Sequence, residues 1–538
     1  RDSVMATWDD ILSHIDAPEP PMRDVEGWPV QIQCRETAGL HELTAKGAND
    51  EEDEKSRLPP PKNFLLTKHD KYSLEIEIGN HITFVQETSD GERHVAPADK
   101  FLIHDLKYSL SKLPRAHAVL TMPLVLPNGE LLDRNGLDRE RRAVFRIDPA
   151  LLEFMPKPEE CTEDDVAKAY RFLVDEWLVD VATDTEGKCV LHAYALSIIE
   201  RVLFPERPVF FVTAGQRGGG KTTALIMATL AATGVKPAAA AWTNDSEERK
   251  KSLFAIFREG LPTVIWDNIP RGLAISCPHI ERASTTEIYQ DRILGVSQQG
   301  QAPAYTIMAF TGNNIRPKSD QASRSLEARL TADRPDPENR HFVHPEPVGW
   351  TLDHRGEILR ALYVILLGNP QLRPEGRREA QTRFKTWWRL VGSAVEHAAG
   401  TVGQIVSFKA MFARVEGNDD EAAARADILQ TLYAIEWPGR AELADKEFTS
   451  ANLLAHLDES AKSAEQSGRP EDAETAELRR FCTPKNAKAV SSKTIGLALK
   501  SILDAPVAVL AGMLALRSRP DTHNKITVFW VELKLGKP

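Results

Sequence analysis

The feature that most constrains the fold is a glycine-rich string directly behind a short apolar segment. Residues 208–213 (PVFFVT) are apolar, β-branched and aromatic, which is typical of a buried strand. The string 215–223 (GQRGGGKTT) follows, and residues 224–234 (ALIMATLAATG) are compatible with a helix. A GxxxxGK[ST] pattern between a strand and a helix indicates a phosphate-binding loop.

The residue types in this loop suit a nucleoside triphosphate. Glycines let successive backbone N–H groups point at phosphate oxygens, and the N-terminus of the next helix adds partial positive charge. Lys221 can contact the β- and γ-phosphates, and the Thr222 hydroxyl can bind Mg²⁺. The alternative is a glycine-rich turn without a ligand, which the flanking strand and helix make less favourable. The sequence therefore predicts ATP and Mg²⁺, with the nucleotide bound by Gly215, Gln216, Arg217, Gly218, Gly219, Gly220, Lys221, Thr222 and Thr223.

A second apolar segment ends in an acid. Residues 263–266 (TVIW) are followed by Asp267 and Asn268. Beside a phosphate loop, such an acid holds Mg²⁺; alone, the segment would more simply be a strand ending in a turn. Asn268 is not acidic, so it cannot be the base that activates water. The candidates for that base are Asp267 itself and three later acids, Glu281, Glu287 and Asp291.

A third apolar segment ends in amides. Residues 305–310 (YTIMAF) lead through Thr-Gly to Asn313 and Asn314. At the carboxyl edge of a parallel sheet, an amide can hydrogen-bond the γ-phosphate or the attacking water. The alternative is ordinary turn chemistry, but the position behind the first two segments favours this sensor role.

Arginines that follow the sensor segment are candidates for a finger that completes a neighbouring subunit's site. Arg324 is the first candidate and Arg329 the second, both within 320–330 (DQASRSLEARL). The alternative is an exposed helix with ion pairs, for instance between Glu327 and nearby arginines.

Helical stretches separate the apolar segments 208–213, 263–266 and 304–310, which predicts a parallel α/β sheet. Further helices are expected at 353–367 and 378–399. The predicted divisions are an N-terminal segment with an acidic, proline-rich linker (1–62), a small mixed or β-rich domain (63–150), a helical leader (151–205), a P-loop ATPase core (206–346), a helical region (347–440) and a basic winged-helix-like domain (441–538).

The carboxyl-terminal segment is locally basic. Residues 485–538 contain nine basic and three acidic residues, whereas the whole chain has a net charge of -11. A helix over 493–503 followed by a strand–turn–strand over 514–533, with its tip at 517–524, is typical of a winged helix. Lys493, Arg517 and Arg519 are then candidate DNA contacts; the alternative is a lid with a solvated basic face.

Composition excludes several classes of protein. An excess of acidic over basic residues (78 against 67) excludes a uniformly basic nucleic-acid coat. The five cysteines are far apart, which argues against zinc or a disulfide framework and for a reducing cytoplasm. No apolar run reaches the roughly 18 residues of a membrane span.

The ordered motifs resemble the ATPase half of phage, plasmid and integrative-element primase-helicases. Those proteins belong with the superfamily 3 and poxvirus-type helicases of the AAA+ P-loop class. Each motif alone is weak, so their order carries the resemblance, which covers about 115–400. The segments concerned are 121–138 (TMPLVLPNGELLDRNGLD), 215–223, 266–268 (WDN), 280–295 (IERASTTEIYQDRILG), 311–314 (TGNN), 322–330 (ASRSLEARL) and 333–342 (DRPDPENRHF).

The resemblance implies a homo-oligomeric ring, expected to be a hexamer, that hydrolyses ATP to move along single-stranded DNA. It also implies that 294–305 (LGVSQQGQAPAY) is a hairpin in the pore, although an ordinary loop is the alternative. The chain departs from the pattern at Asn268, where many ring ATPases carry a glutamate. Residues 1–150 show no acidic triad of a primase, so a primase would be a separate or upstream partner. The expected DNA contacts at the hairpin are Arg292, Gln298, Gln299 and Gln301.

The leading prediction is a cytoplasmic, Mg²⁺-dependent DNA helicase or translocase that replicates a mobile genetic element. The alternative is a ring ATPase of the same fold that is not a helicase, such as a defence or remodelling module acting on a protein. A P-loop kinase is disfavoured, because a monomeric kinase has no use for the sensor and arginine series.

Overall fold

The chain divides into two units, Arg1–Val415 and Glu416–Pro538. The division falls inside the helical region predicted over 347–440, and the six predicted divisions stay predictions. A computed structural model describes residues 19–20, 22–26, 28–35, 58, 63–68, 76, 85–88, 91–94, 113–293, 298–331, 337–417, 420–437, 447–468, 470–483, 490–503, 507–509, 512–521 and 526–535.

The described residues before position 146 form short strands. An antiparallel sheet has the order β1-β2-β3, and β4 pairs with β5. A second sheet has the order β6-β10-β9, while β7 pairs with β8. Their bounds are β1 (Met22–Arg23), β2 (Pro29–Arg35), β3 (Asn63–Lys68), β4 (Val85–Thr88), β5 (Gly91–His94), β6 (Ala118–Leu120), β7 (Leu124–Val125), β8 (Leu131–Leu132), β9 (Gly136–Asp138) and β10 (Ala143–Phe145).

Helices follow, and their starts agree with the capping residues. After the short helix Pro149–Leu152, helix Glu163–Arg171 begins at the N-cap Thr162, whose hydroxyl accepts from the Asp165 N–H. A π-helical segment, Phe172–Trp177, continues it. Helix Thr185–Glu200 is buried along almost its whole length and packs against the helix of the phosphate loop.

The centre of this unit is a parallel five-stranded sheet in the order β12-β13-β17-β11-β19. With its flanking helices, this sheet is compatible with an α/β NTPase-like fold. The strands are β11 (Val209–Ala214), β12 (Ala238–Ala241), β13 (Thr263–Ile269), β17 (Ile307–Asn313) and β19 (Ser325–Leu330).

Helices cover both faces of this sheet, which explains the continuous apolar strands. Alternate residues of β11 enter two different cores: Phe210 and Val212 pack with helices Thr185–Glu200 and Lys221–Thr233, and Val209 and Phe211 pack with helix Ser246–Glu259. Successive side chains of a strand point to opposite faces, so a strand covered on both sides must be apolar throughout.

Smaller elements connect the central strands. Helix Pro278–Ala283 precedes an antiparallel hairpin with strands at 288–292 and 299–303, which overlaps the predicted 294–305 but begins six residues earlier. The segment predicted as a possible ion-paired helix is instead a 3₁₀ helix, Ser319–Arg324, followed by β19. The connecting strands are β14 (Ala274–Ile275), β15 (Ile288–Arg292), β16 (Gln299–Pro303) and β18 (Arg316–Pro317), with β14 paired to β18.

A helical region ends the first unit. The helix expected at 353–367 is present as Arg355–Leu367, but the one expected at 378–399 begins only at Lys385. The Gln371 side chain accepts a hydrogen bond from the Arg378 N–H and donates one to the Gly376 carbonyl. Because these two backbone groups bond to a side chain, they do not form the hydrogen bonds of a helix. The helices are Pro347–Asp353, Arg355–Leu367, Lys385–Trp387, Ser393–Thr401 and Phe408–Gly417, with a π-helical segment at Trp388–Gly392.

The second unit packs helices on an antiparallel sheet of order β20-β23-β22-β21. The helix predicted over 493–503 is present as Ser492–Ser501, with Ser491 as its N-cap. The tip predicted at 517–524 is wrong for its first five residues, because β22 stays paired to β23 as far as Asp521; 522–525 lie outside the described residues. The other elements are helices Asp420–Ala434, Ser450–Ser467 and Ala473–Cys482 and strands β20 (Glu447–Thr449), β21 (Val507–Val509), β22 (Gly512–Asp521) and β23 (Ile526–Leu535).

Candidate functional site

The phosphate loop lies between β11 and helix Lys221–Thr233, in the strand–loop–helix order predicted. Gly218 has φ 73° and Gly220 has φ 79°, a left-handed backbone that side chains with a Cβ rarely adopt. A Cβ on Gly219 would lie 3.4 Å from the Cβ of Ala214. The glycines therefore allow the turn itself, and they leave its backbone open to a ligand.

Lys221 lies in the first turn of this helix and contacts the end of β17. Its Nζ donates to Asn313 Oδ1 at 2.9 Å and to the Gln216 carbonyl at 3.3 Å. Partial burial lowers the pKa of Lys221 from its ordinary value, and the charge of Asp267 opposes this shift. The Lys221 ammonium therefore lies at the loop, where a bound anion would stabilise its charged form.

Thr222 and Asp267 meet at the same edge of the sheet. The Thr222 hydroxyl lies 3.2 and 3.3 Å from the two carboxylate oxygens of Asp267. A hydroxyl beside one carboxylate is an oxygen pair of the kind Mg²⁺ uses when phosphates and water supply the other ligands. Among the described residues, no cluster of three or more His, Cys, Asp or Glu side chains can hold a metal. The residues present fit a nucleotide-bound Mg²⁺ rather than an all-protein metal site.

Two asparagines at this edge of the sheet have a left-handed backbone. Asn268 has φ 56° and lies near the end of β13, within the break in its pairing with β17 between Trp266 and Ile269. Asn314 has φ 51° directly after β17. Asparagine adopts a left-handed backbone more readily than most residues. The backbone conformation alone can therefore explain why asparagine occurs at these two positions, whatever its amide does in catalysis.

The two sensor candidates point in different directions. Asn313 accepts from Lys221, whereas Asn314 Oδ1 accepts from Arg329 Nη2 at 3.2 Å. Of the two, Asn313 lines the cavity beside the phosphate loop. The geometry therefore favours Asn313 for contact with a phosphate or a water, although both roles stay predictions.

A cavity of about 770 Å³ joins these groups. Three cationic side chains and one carboxylate line it, which gives a net formal charge of +2. A cavity of this charge suits a polyanionic ligand such as a nucleotide. Its described lining residues are Arg217, Gly218, Lys221, Thr222, Asp267, Asn268, Ile269, Pro270, Arg271, Gly312 and Asn313.

The structure limits the choice of catalytic base. Asp267 is the one acid among the described residues that line the cavity. Glu281 accepts from the Ser276 hydroxyl at 3.1 Å, and Asp291 forms an ion pair with Lys250 at 3.0 Å. Glu281, Glu287 and Asp291 are therefore not brought to this site by the fold of the chain itself.

The two finger candidates differ in exposure. The Arg324 side chain is 12% exposed; it donates to Asp320 at 3.1 Å and to the Glu281 carbonyl at 3.1 Å. The Arg329 side chain is 58% exposed. Neither is among the described residues that line the cavity of its own chain, and the finger role stays a prediction.

One charged residue among the described lining of the cavity is absent from the predicted site. Arg271 Nη2 donates to the Gly215 carbonyl at 3.0 Å and lines the cavity. No motif contains it, but its place two residues after the acid strand puts it at the ligand-binding edge. That position was the signal available in the sequence.

The candidate DNA contacts lie on two elements, one in each unit. On the hairpin β15–β16, Arg292, Gln298 and Gln299 are exposed, while Gln301 is half-buried and its N–H donates to Glu26 at 2.8 Å. Residues 294–297 of this hairpin lie outside the described part of the chain. In the second unit, Lys493 is exposed on helix Ser492–Ser501.

The two predicted arginine contacts of the second unit have acidic partners. Arg517 pairs with Glu532 at 2.9 Å, and Arg519 pairs with Glu447 at 2.7 Å. Their charge is thus partly compensated within the unit, which weakens the case for them as phosphate contacts.

Comparison with known proteins gives only distant likenesses. No family model and no curated protein matches the chain. Two solved structures of the NrS-1 C-terminal region, both in an apo A form, are each 11% identical to this chain with a TM-score of 0.33. The first match covers 78% of this chain and 88% of the solved chain, and the second covers 84% and 94%. A structure described as an active helicase, SCCmec type IV Cch, is 10% identical with a TM-score of 0.28, over 80% of this chain and 89% of its own. Likeness at these scores carries no argument about the fold or activity of this chain.

Proposed function

We propose that the chain is an ATPase that moves along DNA, a helicase or translocase of a mobile genetic element. One observation carries the nucleotide part: Lys221 meets Asn313, and Thr222 meets Asp267, at one edge of a parallel sheet. Three separate sequence segments supply these groups, so their convergence is not a local effect of the glycine-rich turn. The motif order and its resemblance to primase-helicases support the DNA part.

The residues would divide the work of ATP hydrolysis. The loop N–H groups and Lys221 would bind the β- and γ-phosphates, and Asn313 would orient the terminal phosphate or the attacking water. Mg²⁺, held by Thr222 and Asp267, would neutralise phosphate charge. Asp267 is also the acid placed to accept a proton, directly or through a water.

We propose that the active form is an oligomeric ring, with a hexamer expected from the resemblance. In this proposal Arg324 or Arg329 of one subunit acts on the cavity of its neighbour, since neither is among the described residues that line the cavity of its own chain. Arg324 would have to leave Asp320 and the Glu281 carbonyl to do so. Arg329 is already exposed, so it becomes a stronger alternative than its sequence position suggests.

We propose that the second unit contacts DNA through a helix face. A groove of about 590 Å³ is lined by Lys493, Leu497 and Lys500, which lie at i, i+4 and i+7 of one helix, and by the start of β23. None of its described lining residues is acidic, and neither lysine side chain has an ion-pair partner in the described part of this unit. Charge complementarity therefore favours this face over the paired Arg517 and Arg519.

Salt dependence tests this face. Each phosphate contact adds about -0.9 to the slope of log K against log salt for duplex DNA. Replacing Lys493 and Lys500 by Ala together should therefore flatten the slope by about 2 units. The matched pair Arg517→Ala with Arg519→Ala should change it by less than half as much; an equal or larger effect of the arginine pair would contradict the assignment.

The DNA proposal as a whole is tested by ATP hydrolysis with and without single-stranded DNA. A translocase should hydrolyse faster when its track is present. ATPase activity that single-stranded DNA leaves unchanged, but that a protein partner stimulates, would favour a remodelling ATPase instead. A cytoplasmic location and a separate primase partner are also proposed, from the sequence alone. Among the described helices, none is long and apolar enough to cross a membrane.

A further inference from the structure

Arg271 lies in a loop whose backbone is fixed to the proposed sensor strand. It is the second residue after β13, and the next residue, Gly272, donates its N–H to the Asn313 carbonyl at 2.9 Å. Gly272 has φ 75°, so the turn that follows Arg271 needs a glycine. The loop therefore holds the Arg271 backbone next to the strand that presents Asn313.

The guanidinium of Arg271 is available to an anion. Among the described residues, its hydrogen-bond partner is a neutral group, the Gly215 carbonyl, at 3.0 Å. No described carboxylate lies within ion-pair distance of it, in contrast to Arg324 with Asp320. The side chain is exposed where it lines the cavity.

The place of Arg271 in the cavity separates it from Arg217 and Lys221. Those two residues belong to the phosphate loop, which would contact the β-phosphate that ATP and ADP share as well as the γ-phosphate. Arg271 belongs instead to the loop after β13, the strand that carries Asp267, and its Nη2 lies 3.0 Å from the Gly215 carbonyl at the start of the phosphate loop. A planar guanidinium binds a terminal phosphate through two parallel N–H donors, and the γ-phosphate is the group that ADP lacks.

We propose that Arg271 binds the γ-phosphate of ATP held by its own subunit and makes the site selective for ATP over ADP. The inference rests on the proposed nucleotide site. It differs from the role of Arg324 or Arg329, since it needs no neighbouring subunit.

Nucleotide affinity tests this directly. The full chain with Mg²⁺ is titrated into a fluorescent, non-hydrolysable ATP analogue and into the matching fluorescent ADP. A hydrogen bond to a charged group is worth enough to weaken ATP-analogue binding by about ten- to a hundredfold in Arg271→Ala, whereas ADP binding should stay within about twofold. Arg271→Lys should recover part of the loss, because it keeps the charge without the fork. Lys251→Ala, an exposed helix lysine paired with Glu248, is the matched control and should bind as wild type.

Two results would overturn the inference. Equal weakening of both nucleotides would mean that Arg271 only fixes the phosphate loop through Gly215. Unchanged binding of both would mean that it contacts neither. A wild-type chain that bound neither nucleotide would refute the nucleotide site itself and the inference with it, which is a distinguishable failure.

Discussion

Two replacements of Asn313 separate its positioning of Lys221 and of the γ-phosphate or water from its effect on the charge of the cavity. The Asn313 side chain accepts a charged hydrogen bond from Lys221 at 2.9 Å in a half-buried setting. Such bonds contribute about 1.5–3 kcal/mol, which corresponds to roughly ten- to a hundredfold in rate. Asn313→Ala should therefore lower kcat by about that factor, because Lys221 loses its support and the γ-phosphate or water loses an amide.

Asn313→Asp tests the charge of the cavity instead. A carboxylate here would lower the net formal charge of the lining from +2 to +1 and would pair with the Lys221 ammonium. ATP binding should then be weaker than in Asn313→Ala, although the side chain is nearly the same size. The two variants thus separate positioning from electrostatics.

Steady-state ATPase assays give kcat and KM, and fluorescent-nucleotide titration gives Kd, with thermal melting as the control for folding. The reasoning is refuted if Asn313→Ala keeps a wild-type kcat. It is also refuted if Asn313→Asp binds ATP as tightly as Asn313→Ala, since the cavity charge would then not matter.

Three further predictions concern the site and its support. Lys221→Ala should abolish ATP hydrolysis without lowering the melting temperature, and near wild-type hydrolysis would contradict the site. Mixing Arg324→Ala with Lys221→Ala subunits should restore partial activity, because one interface of a mixed ring keeps both groups; no rescue in confirmed mixed rings would favour Arg329. Burial raises the pKa of Glu200 to about 8, above its ordinary 4.5, because the folded state favours the protonated carboxyl. The contribution of Glu200 to the free energy of unfolding is therefore fully present below pH 4.5 and is lost as the pH rises through 8. Glu200→Gln, which cannot ionise, should therefore be more stable than wild type at pH 8 by up to about 4 kcal/mol and equal to it at pH 4.5 in urea unfolding; a difference that does not change with pH would contradict this.

The phosphate loop and the three strands around it could be predicted because their signals are local. Glycine spacing, apolar runs and the polar residue at each strand end all lie within a few residues of one another. The resulting convergence of Lys221, Asp267 and Asn313 followed from placing those strands in one parallel sheet.

Two strands of the sheet had no such signal. β12 is four alanines, which carry no β-branched or aromatic bias. β19 (SLEARL) resembles a charged helix, yet Leu326, Ala328 and Leu330 are buried by pairing with β11. Tertiary context decided both elements, and the sequence alone could not supply it.

Side-chain partners were the least predictable part of the site. Arg324, Arg517 and Arg519 were read as available cations, but each has a carboxylate partner in the fold. Conversely, Arg271 enters the cavity although no motif contains it. The partners of Arg517 and Arg519 lie on other strands, so residue spacing does not encode them, whereas Asp320 lies four residues before Arg324 and the sequence could have indicated that pair.

Strand separation by the purified chain tests the central claim most directly. Wild type with ATP and Mg²⁺ should unwind a forked DNA duplex and should hydrolyse ATP faster with single-stranded DNA, whereas Lys221→Ala should do neither and Lys251→Ala should do both. Vigorous ATP hydrolysis by a confirmed oligomer, without strand separation or stimulation by DNA, would contradict the account of a DNA translocase while leaving the nucleotide site intact.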